Sequence, residues 1–193
     1  LGYQVPFEVI SGEGKLNSQS SSIVVPTDSM GIASVEYSLG DTAGVALHKV
    51  EVNVPLEGAP LHFTADAVPA TPQQIVIVQG NQQQQHAGQT FPTPLRTRVV
   101  DVYGNGIANH QVKFRVLVGD GNFRGLNGVS MSSQDTTLTT NDLGFAQIEY
   151  TAGRQEGRHQ AGPEAMPAIP QSSRIFTELD VLPSAPHYIV KQT

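Results

Sequence analysis

The sequence predicts an all-β chain folded as antiparallel β-sandwiches, and three observations predict it. Apolar and polar residues alternate with a period of two in short runs, the spacing of a strand with one buried and one wet face. Turn clusters rich in Gly, Asn and Asp separate these runs at roughly ten-residue spacing, the rhythm of a sandwich. The chain also repeats itself at an offset of about 114 residues, so one architecture is built more than once. No stretch of ten residues carries helical periodicity.

Taken in order, Tyr3 to Ile10 places Val5, Phe7 and Val9 on one face. The turn Ser11-Gly12-Glu13-Gly14 follows, and Asp28-Ser29-Met30-Gly31 precedes a run from Ile32 to Leu39 with Val35, Tyr37 and Leu39 in phase. In Leu47 to Val54 it is Val50, Val52 and Val54 that share a face. Ile75 to Gln79, Leu95 to Tyr103, Gln111 to Val118 and Phe145 to Tyr150 continue the pattern. Between them lie Gly104-Asn105-Gly106, Gly119-Asp120-Gly121, a longer loop from Asn122 to Thr136, and Asn141-Asp142-Leu143-Gly144. His159 to Pro170 carries Gly162, Pro163, Pro167 and Pro170. It is expected to be a shortened edge strand or a looped-out segment, because proline donates nothing to a ladder.

The repeat is in register at four places. Gln4-Val5-Pro6-Phe7 recurs as Gln111-Val112-Lys113-Phe114, and Gly12-X-Gly14 as Gly119-X-Gly121. Thr27 to Gly44 matches Thr140 to Gly157, and Val68 to Val76 matches Leu182 to Val190. Residues 73–182 are therefore expected to form one complete domain. Residues 1–68 are expected to be a partial domain lacking its first strands, with counterparts of Ile75 to Gln79 and of Leu95 to Tyr103 missing. Residues 69–72 read as a Pro-rich linker, and 183–193 as a linker and the first strand, Tyr188-Ile189-Val190, of a following domain. The Pro-X-X-Pro joints, stiff because proline fixes φ, are expected to set domains end to end.

These residues resemble a known family. Pro72-X-X-Ile75-X-Ile77 leads to Gly88-Gln89 and Pro94-Leu95, then to Arg98-Val99-Val100-Asp101-Val102-Tyr103-Gly104-Asn105-Gly106. Val112-X-Phe114-X-Val116 and Thr140-X-X-X-Gly144-X-Ala146 follow. The pattern is similar to bacterial Ig-like domains of group 1, the repeats of invasin- and intimin-type surface proteins. The resemblance implies tandem Ig-like antiparallel β-sandwiches and a parent protein engaged in adhesion.

Composition narrows the function classes. A net charge of −6 with only 15% charged residues argues against a nucleic-acid binder, which needs a basic stripe, and against charge-driven disorder. No apolar run reaches the ~20 residues that span a bilayer. With no cysteine, disulfides, thiolate catalysis and Cys-ligated zinc are all excluded. Residue 1 is Leu, so the chain reads as processed or excerpted from something longer.

No catalytic, cofactor-binding or metal residues are expected, and the chain is not read as an enzyme. The histidines, His48, His62, His86, His110, His159 and His187, form no ligand or catalytic spacing and are expected on surfaces or edge strands. Gly119-Asp120-Gly121 with Asn122 reads as a hairpin turn rather than a cation cup. Asp66 and Asp180, one before each linker, are too few to hold calcium. Asn81 to His86, with its glutamine run, is expected to be a solvated loop. Of Tyr3, Tyr37, Tyr103, Tyr150 and Tyr188, the pair Tyr37 and Tyr150 is expected to pack inward.

The expected function is a structural spacer of tandem Ig-like domains in a bacterial surface or secreted protein, an adhesin foremost, located outside the cell or on its surface. Scaffold repeats within a large secreted enzyme, toxin or extracellular assembly, or a binding module using end loops, are the alternatives. Expected partners are neighbouring repeats, or a strand-supplying segment that completes residues 1–68, a separate or preceding segment of the protein being favoured over exchange between identical chains. A host or cell-surface receptor is expected to be engaged through other parts of the parent protein.

Overall fold

A computed structural model describes residues 2–55, 58, 60–125 and 133–184, and the chain divides into two units, Leu1–Ala70 and Thr71–Thr193. The expected strand Tyr188-Ile189-Val190, with His187, lies outside the described residues, as does the middle of the Asn122 to Thr136 loop.

Unit 1 contains β1 (Gln4–Ser11), β2 (Lys15–Leu16), β3 (Ser22–Pro26), β4 (Tyr37–Ser38), β5 (Gly44–Val52) and β6 (Leu61–Ala67). Four of these form one antiparallel sheet in the order β3-β1-β5-β6, while β2 and β4 pair separately. The alternation read from Val5, Phe7 and Val9 and from Val50 and Val52 points these side chains to one face. Phe7, Leu16, Val50 and Val52 are buried there, and Val5, Val9, Ala33, Val35 and Tyr37 are only partly covered. The run expected as a strand from Ile32 to Leu39 enters a ladder only at Tyr37–Ser38.

Unit 2 contains β7 (Gln74–Gln79), β8 (Gln83–His86), β9 (Leu95–Val100), β10 (Gln111–Val118) and β11 (Asn122–Arg124). It continues with β12 (Asp135–Thr139), β13 (Phe145–Thr151), β14 (Gly157–Met166) and β15 (Phe176–Leu182). They make an Ig-like sandwich. One sheet runs β12-β10-β14-β15-β8 and the facing sheet runs β11-β13-β9-β7. All neighbours are antiparallel except β15 and β8, which run parallel. The core between the sheets holds Ile75, Leu95, Val99, Val112, Phe114, Ile148, Tyr150 and Phe176, supplied by alternate positions of both.

Three expectations are corrected in unit 2. The proline-bearing segment is no edge or loop; β14 is central, between β10 and β15. Pro163 pairs with Phe114, and its carbonyl accepts from the Arg174 N–H at 3.1 Å. The N–H and C=O of a strand residue point the same way, so the missing donor falls on that side. Beyond Phe176, β15 has not yet begun there, and the β10 ladder loses nothing. Pro167 and Pro170 lie past the strand's end.

The glutamine run is likewise not a solvated loop. Gln83–His86 form β8, paired along Leu179–Leu182 of β15. The inward Gln83 amide donates to the Gly80 and Thr93 carbonyls at 2.7 and 2.9 Å and accepts from the Thr93 N–H at 2.8 Å. A polar side chain is tolerated inside because its amide is satisfied. Finally, Gly119-Asp120-Gly121 is not a hairpin: β10 and β11 belong to opposite sheets, so the segment is an inter-sheet corner.

The expected Asn141 turn forms as read. The Asn141 side-chain oxygen accepts from the Leu143 and Phe145 N–H groups at 3.1 and 2.9 Å. Asp28 builds the same turn in unit 1, accepting from Met30 and Ile32 at 2.8 and 2.9 Å. At the other end of β9, buried Asp101 accepts from the Tyr103 and Asn105 N–H groups at 2.9 and 2.8 Å, closing the Asp-Val-Tyr-Gly-Asn turn.

Candidate functional site

The two units carry the same buried polar device, and it was not recognised from the sequence. His48 and His159, expected at a surface or edge, are 0% and 1% exposed. Each sits on β5 or β14 beneath the first glycine of a Gly-X-Gly corner, with a tyrosine under the second. A Cβ on Gly12 or Gly119 would strike the histidine ring, and one on Gly14 or Gly121 would strike Tyr37 or Tyr150. The glycines are therefore close-approach residues, which is why this spacing recurs.

In unit 2 the device is complete. His159 Nε2 lies 3.0 Å from the Gln155 carbonyl, so it carries the proton and donates there. That leaves Nδ1 to accept from the Tyr150 hydroxyl at 2.8 Å. Burial and the nearby Asp120 charge push the Tyr150 hydroxyl well above the ordinary tyrosine pKa, so it remains a donor. Tyr150 also packs against Phe91 and Phe123 at ring-centre distances of 5.6 and 5.7 Å, and Phe123 meets Phe114 at 6.2 Å.

In unit 1 the device is incomplete. His48 Nε2 donates to the Thr42 carbonyl at 2.9 Å, as His159 does to Gln155. The Tyr37 hydroxyl and His48 Nδ1 are both buried atoms that find no partner among the described residues. Tyr37 faces an open apolar cleft of about 320 Å³ lined by Phe7, Ala33, Val35, Val50 and Phe63. Desolvation raises the Tyr37 pKa. Phe63 is 59% exposed, whereas its counterpart Phe176 is 0% exposed. The cleft lies where β7 and β9 cover the equivalent face of unit 2.

The remaining candidate residues are engaged locally. Asp120 accepts from the Arg154 and Gln155 N–H groups at 2.8 and 3.1 Å; the Arg154 bond leads in holding its carboxyl below the ordinary range. Asp66 accepts from the Ala46 N–H at 2.6 Å, and Asp180 lies 3.6 Å from Arg158 Nε. Among the described residues no group of three His, Cys, Asp or Glu side chains comes together. His62 meets Glu51 at 3.0 Å, and His86 Nδ1 lies 2.6 Å from the Pro183 carbonyl. His110, part-covered, has a backbone N–H bonded to Thr140 Oγ1 at 2.9 Å. Tyr3 and Tyr103 are exposed and stand apart from this device. Tyr188 lies outside the described residues.

Neither a protein-family model nor a curated protein matches the sequence. Solved structures similar to the chain include a β-glycosidase from Bacteroides vulgatus, at 13% identity and TM-score 0.46, covering 93% of this chain and 23% of that one. Invasin, a bacterial integrin-binding protein, is similar at 16% identity and TM-score 0.40, with 95% and 32% covered. The D00-D0 domain of intimin is similar at 13% identity and TM-score 0.42, with 93% and 86% covered. The chain thus spans about a quarter of the glycosidases it is similar to.

Proposed function

We propose that the chain is a load-bearing structural spacer of Ig-like modules in a bacterial surface or secreted protein of the adhesin kind, acting outside the cell and without catalysis. The observation that carries this reading is the parallel pairing of β8 with β15, near the two ends of unit 2. Leu179, Asp180, Val181 and Leu182 pair with Gln83, Gln84, Gln85 and His86. The Ala87 N–H donates to the Leu182 carbonyl at 2.9 Å, and His86 Nδ1 lies 2.6 Å from the Pro183 carbonyl.

The chain enters unit 2 through β7 of the facing sheet, reaches this ladder at the start of β8, and leaves at the end of β15. Because the strands are parallel, tension pulls them along their length in opposite directions. All of these bonds are then loaded in shear together instead of parting one at a time. Behind the ladder, Leu179 and Val181 are anchored in a sealed core.

Pulling the chain by its ends in a single-molecule force experiment tests this. Unit 2 is expected to give one cooperative, high-force rupture, and Ala87→Pro, which deletes a ladder donor, is expected to lower that force markedly. Gradual extension at low force, or a rupture force unmoved by Ala87→Pro, would sink the load-bearing reading.

A further inference from the structure

Each unit carries, on the outer face of a sheet, a close pair of like charges that its own fold does not compensate. The two pairs have opposite sign.

The carboxylate pair lies on unit 1. Phe7 on β1 and Val50 and Val52 on β5 face the core, so the alternate positions Glu8 and Glu51 face outward. These two stand directly opposite each other across the ladder. Residues so placed have Cβ atoms about 5 Å apart, and like charges there repel. His62 Nε2 lies 3.0 Å from Glu51 Oε2, but Glu8 forms no ion pair among the described residues, and Lys49, on the same face, pairs with neither. The sheet does not need this pair. The matching places in unit 2, also opposite each other, hold Arg115 and Gly162.

The guanidinium pair lies on unit 2, on the outside of the β11-β13-β9-β7 sheet. Leu95, Thr97 and Val99 of β9 are fully buried, so Arg96 and Arg98 face outward. Both meet one ring. The Arg96 guanidinium lies 3.9 Å, and that of Arg98 5.2 Å, from the centre of Phe145 on β13. Arg98 Nε donates to the Leu143 carbonyl at 2.8 Å, which fixes its plane, while Arg96 Nε is buried and unpartnered. Neither arginine forms an ion pair among the described residues; Glu149, farther along β13, stands opposite Arg124.

Two planar cations ordered by one ring, with no counter-ion of their own, suit a partner that offers two carboxylates on a strand surface. Glu8 and Glu51 are such a pair. Apolar side chains flank both faces: Ile10 and Val24 are exposed on the carboxylate side, and Val78 on the arginine side. One exposed ion pair contributes little. Here a single contact relieves a repulsion on each side, and the arginines are already ordered, so less freedom is lost on docking.

We propose that the Glu8–Glu51 face of unit 1 docks on the Arg96–Phe145–Arg98 face of unit 2 in a second copy of this chain. Each chain carries both faces, so the same contact links one copy to the next. It holds whatever load the chain bears.

Analytical ultracentrifugation of the full chain tests this. At about 0.01 M salt, where charges act over about 30 Å, the mass is expected to rise with protein concentration. At about 1 M, with screening near 3 Å, it is expected to return to that of the monomer. Glu8→Arg with Glu51→Arg, and separately Arg96→Glu with Arg98→Glu, are each expected to stay monomeric at low salt. Mixed in equal amounts, the two variants are expected to associate, because every face then meets one of opposite sign. Glu8→Gln with Glu51→Gln keeps the shape, serves should a reversed variant misfold, and is expected to weaken association at least about tenfold. The face is identified by nuclear magnetic resonance. The Arg96 and Arg98 Nε–H signals of a labelled chain carrying Glu8→Gln and Glu51→Gln are expected to shift when the unaltered chain is added, and to stay put when more of the same variant is added.

A chain that stays monomeric at low salt overturns the proposal. So does association that the glutamine variant leaves unchanged, that strengthens with salt, or that leaves the two arginine signals unmoved, since each assigns it to another face. Two folded reversed variants that fail to associate on mixing overturn it as well.

Discussion

Tyr37 and Tyr150 occupy the same place in two copies of one motif, each beneath a Gly-X-Gly corner and beside a buried histidine. Yet Tyr150 is sealed in an aromatic column and bonded to His159, while Tyr37 looks into an open cleft. The flanking segments differ in the same way. Phe145–Thr151 is a seven-residue strand held by β9 on one side and β11 on the other, whereas its counterpart reaches a ladder only at Tyr37–Ser38. The alternating pattern is present in both. What differs is the neighbour, and a strand's backbone is satisfied only where another strand lies beside it. The first copy shows what the motif alone holds, and the second what it holds when covered.

The sharpest way to test that difference is at the paired phenylalanines. Phe176→Ala is expected to destabilise unit 2 by about 3–5 kcal/mol, because a fully buried ring leaves a cavity. Phe63→Ala is expected to change unit 1 by no more than about 0.5 kcal/mol, since its ring is mostly in water. Amide exchange read separately in each unit measures both. Equal costs would mean that the cleft is closed in solution.

A smaller effect is expected at the buried glutamine. Gln83→Ala strands the Gly80 and Thr93 carbonyls and the Thr93 N–H, and is expected to cost about 1–3 kcal/mol in urea unfolding of unit 2. A neutral result would mean that water replaces the amide and that β8 is not pinned by it.

The tyrosine hydroxyls sharpen the comparison further. Tyr150→Phe leaves His159 Nδ1 without its donor and is expected to cost about 1–2 kcal/mol. Tyr37→Phe removes a hydroxyl that already lacks a partner and is expected to be neutral or slightly stabilising for the chain on its own. A comparable loss in both variants would show that Tyr37 and His48 already bond without added strands.

The smallest effect is pH-dependent and belongs to unit 2. The Arg154 N–H, joined by that of Gln155, holds the Asp120 carboxyl below its ordinary value. A group whose folded pKa is depressed contributes stability that is whole above the unfolded value, about 3.9, and is lost as pH falls through the lower folded value. The thermal midpoint of unit 2 is therefore expected to drop on acidification through that window, and Asp120→Asn to flatten the drop. An unchanged acid limb in the variant would remove Asp120 as its cause.

Some of this was readable along the chain. The alternation in Gln111 to Val118 and Phe145 to Tyr150 placed Val112, Phe114, Ile148 and Tyr150 inside. The Asn141 turn was visible in its own four residues, because an Asx turn is closed by the side chain that begins it. The repeat aligned Tyr37 with Tyr150, but the histidines escaped it. Tyr37 and His48 are eleven positions apart and Tyr150 and His159 nine, because β5 is irregular between Gly44 and His48, where Ala46 takes a positive φ of 48°. A search for Gly-X-Gly followed by Tyr and a nearby His, with that spacing left free, would have found the pair.

The sequence by itself determined the all-β class, the antiparallel character of most strands, the turns and the doubling of the motif, since each rests on residues close together in the chain. Tertiary structure alone decided the rest. It turned Gln83–His86 into a strand because β15 offers a parallel edge, and it admitted Pro163 to the centre of a sheet because the side lacking a donor faces Ser172 to Arg174, ahead of β15, and not β10. It buried His48 and His159 because glycines leave room above their rings. It withheld a strand from Ile32 to Glu36 because no strand among the described residues pairs with them. Periodicity states which side chains want to be inside; pairing and burial depend on what arrives from elsewhere in space, and no local pattern records that.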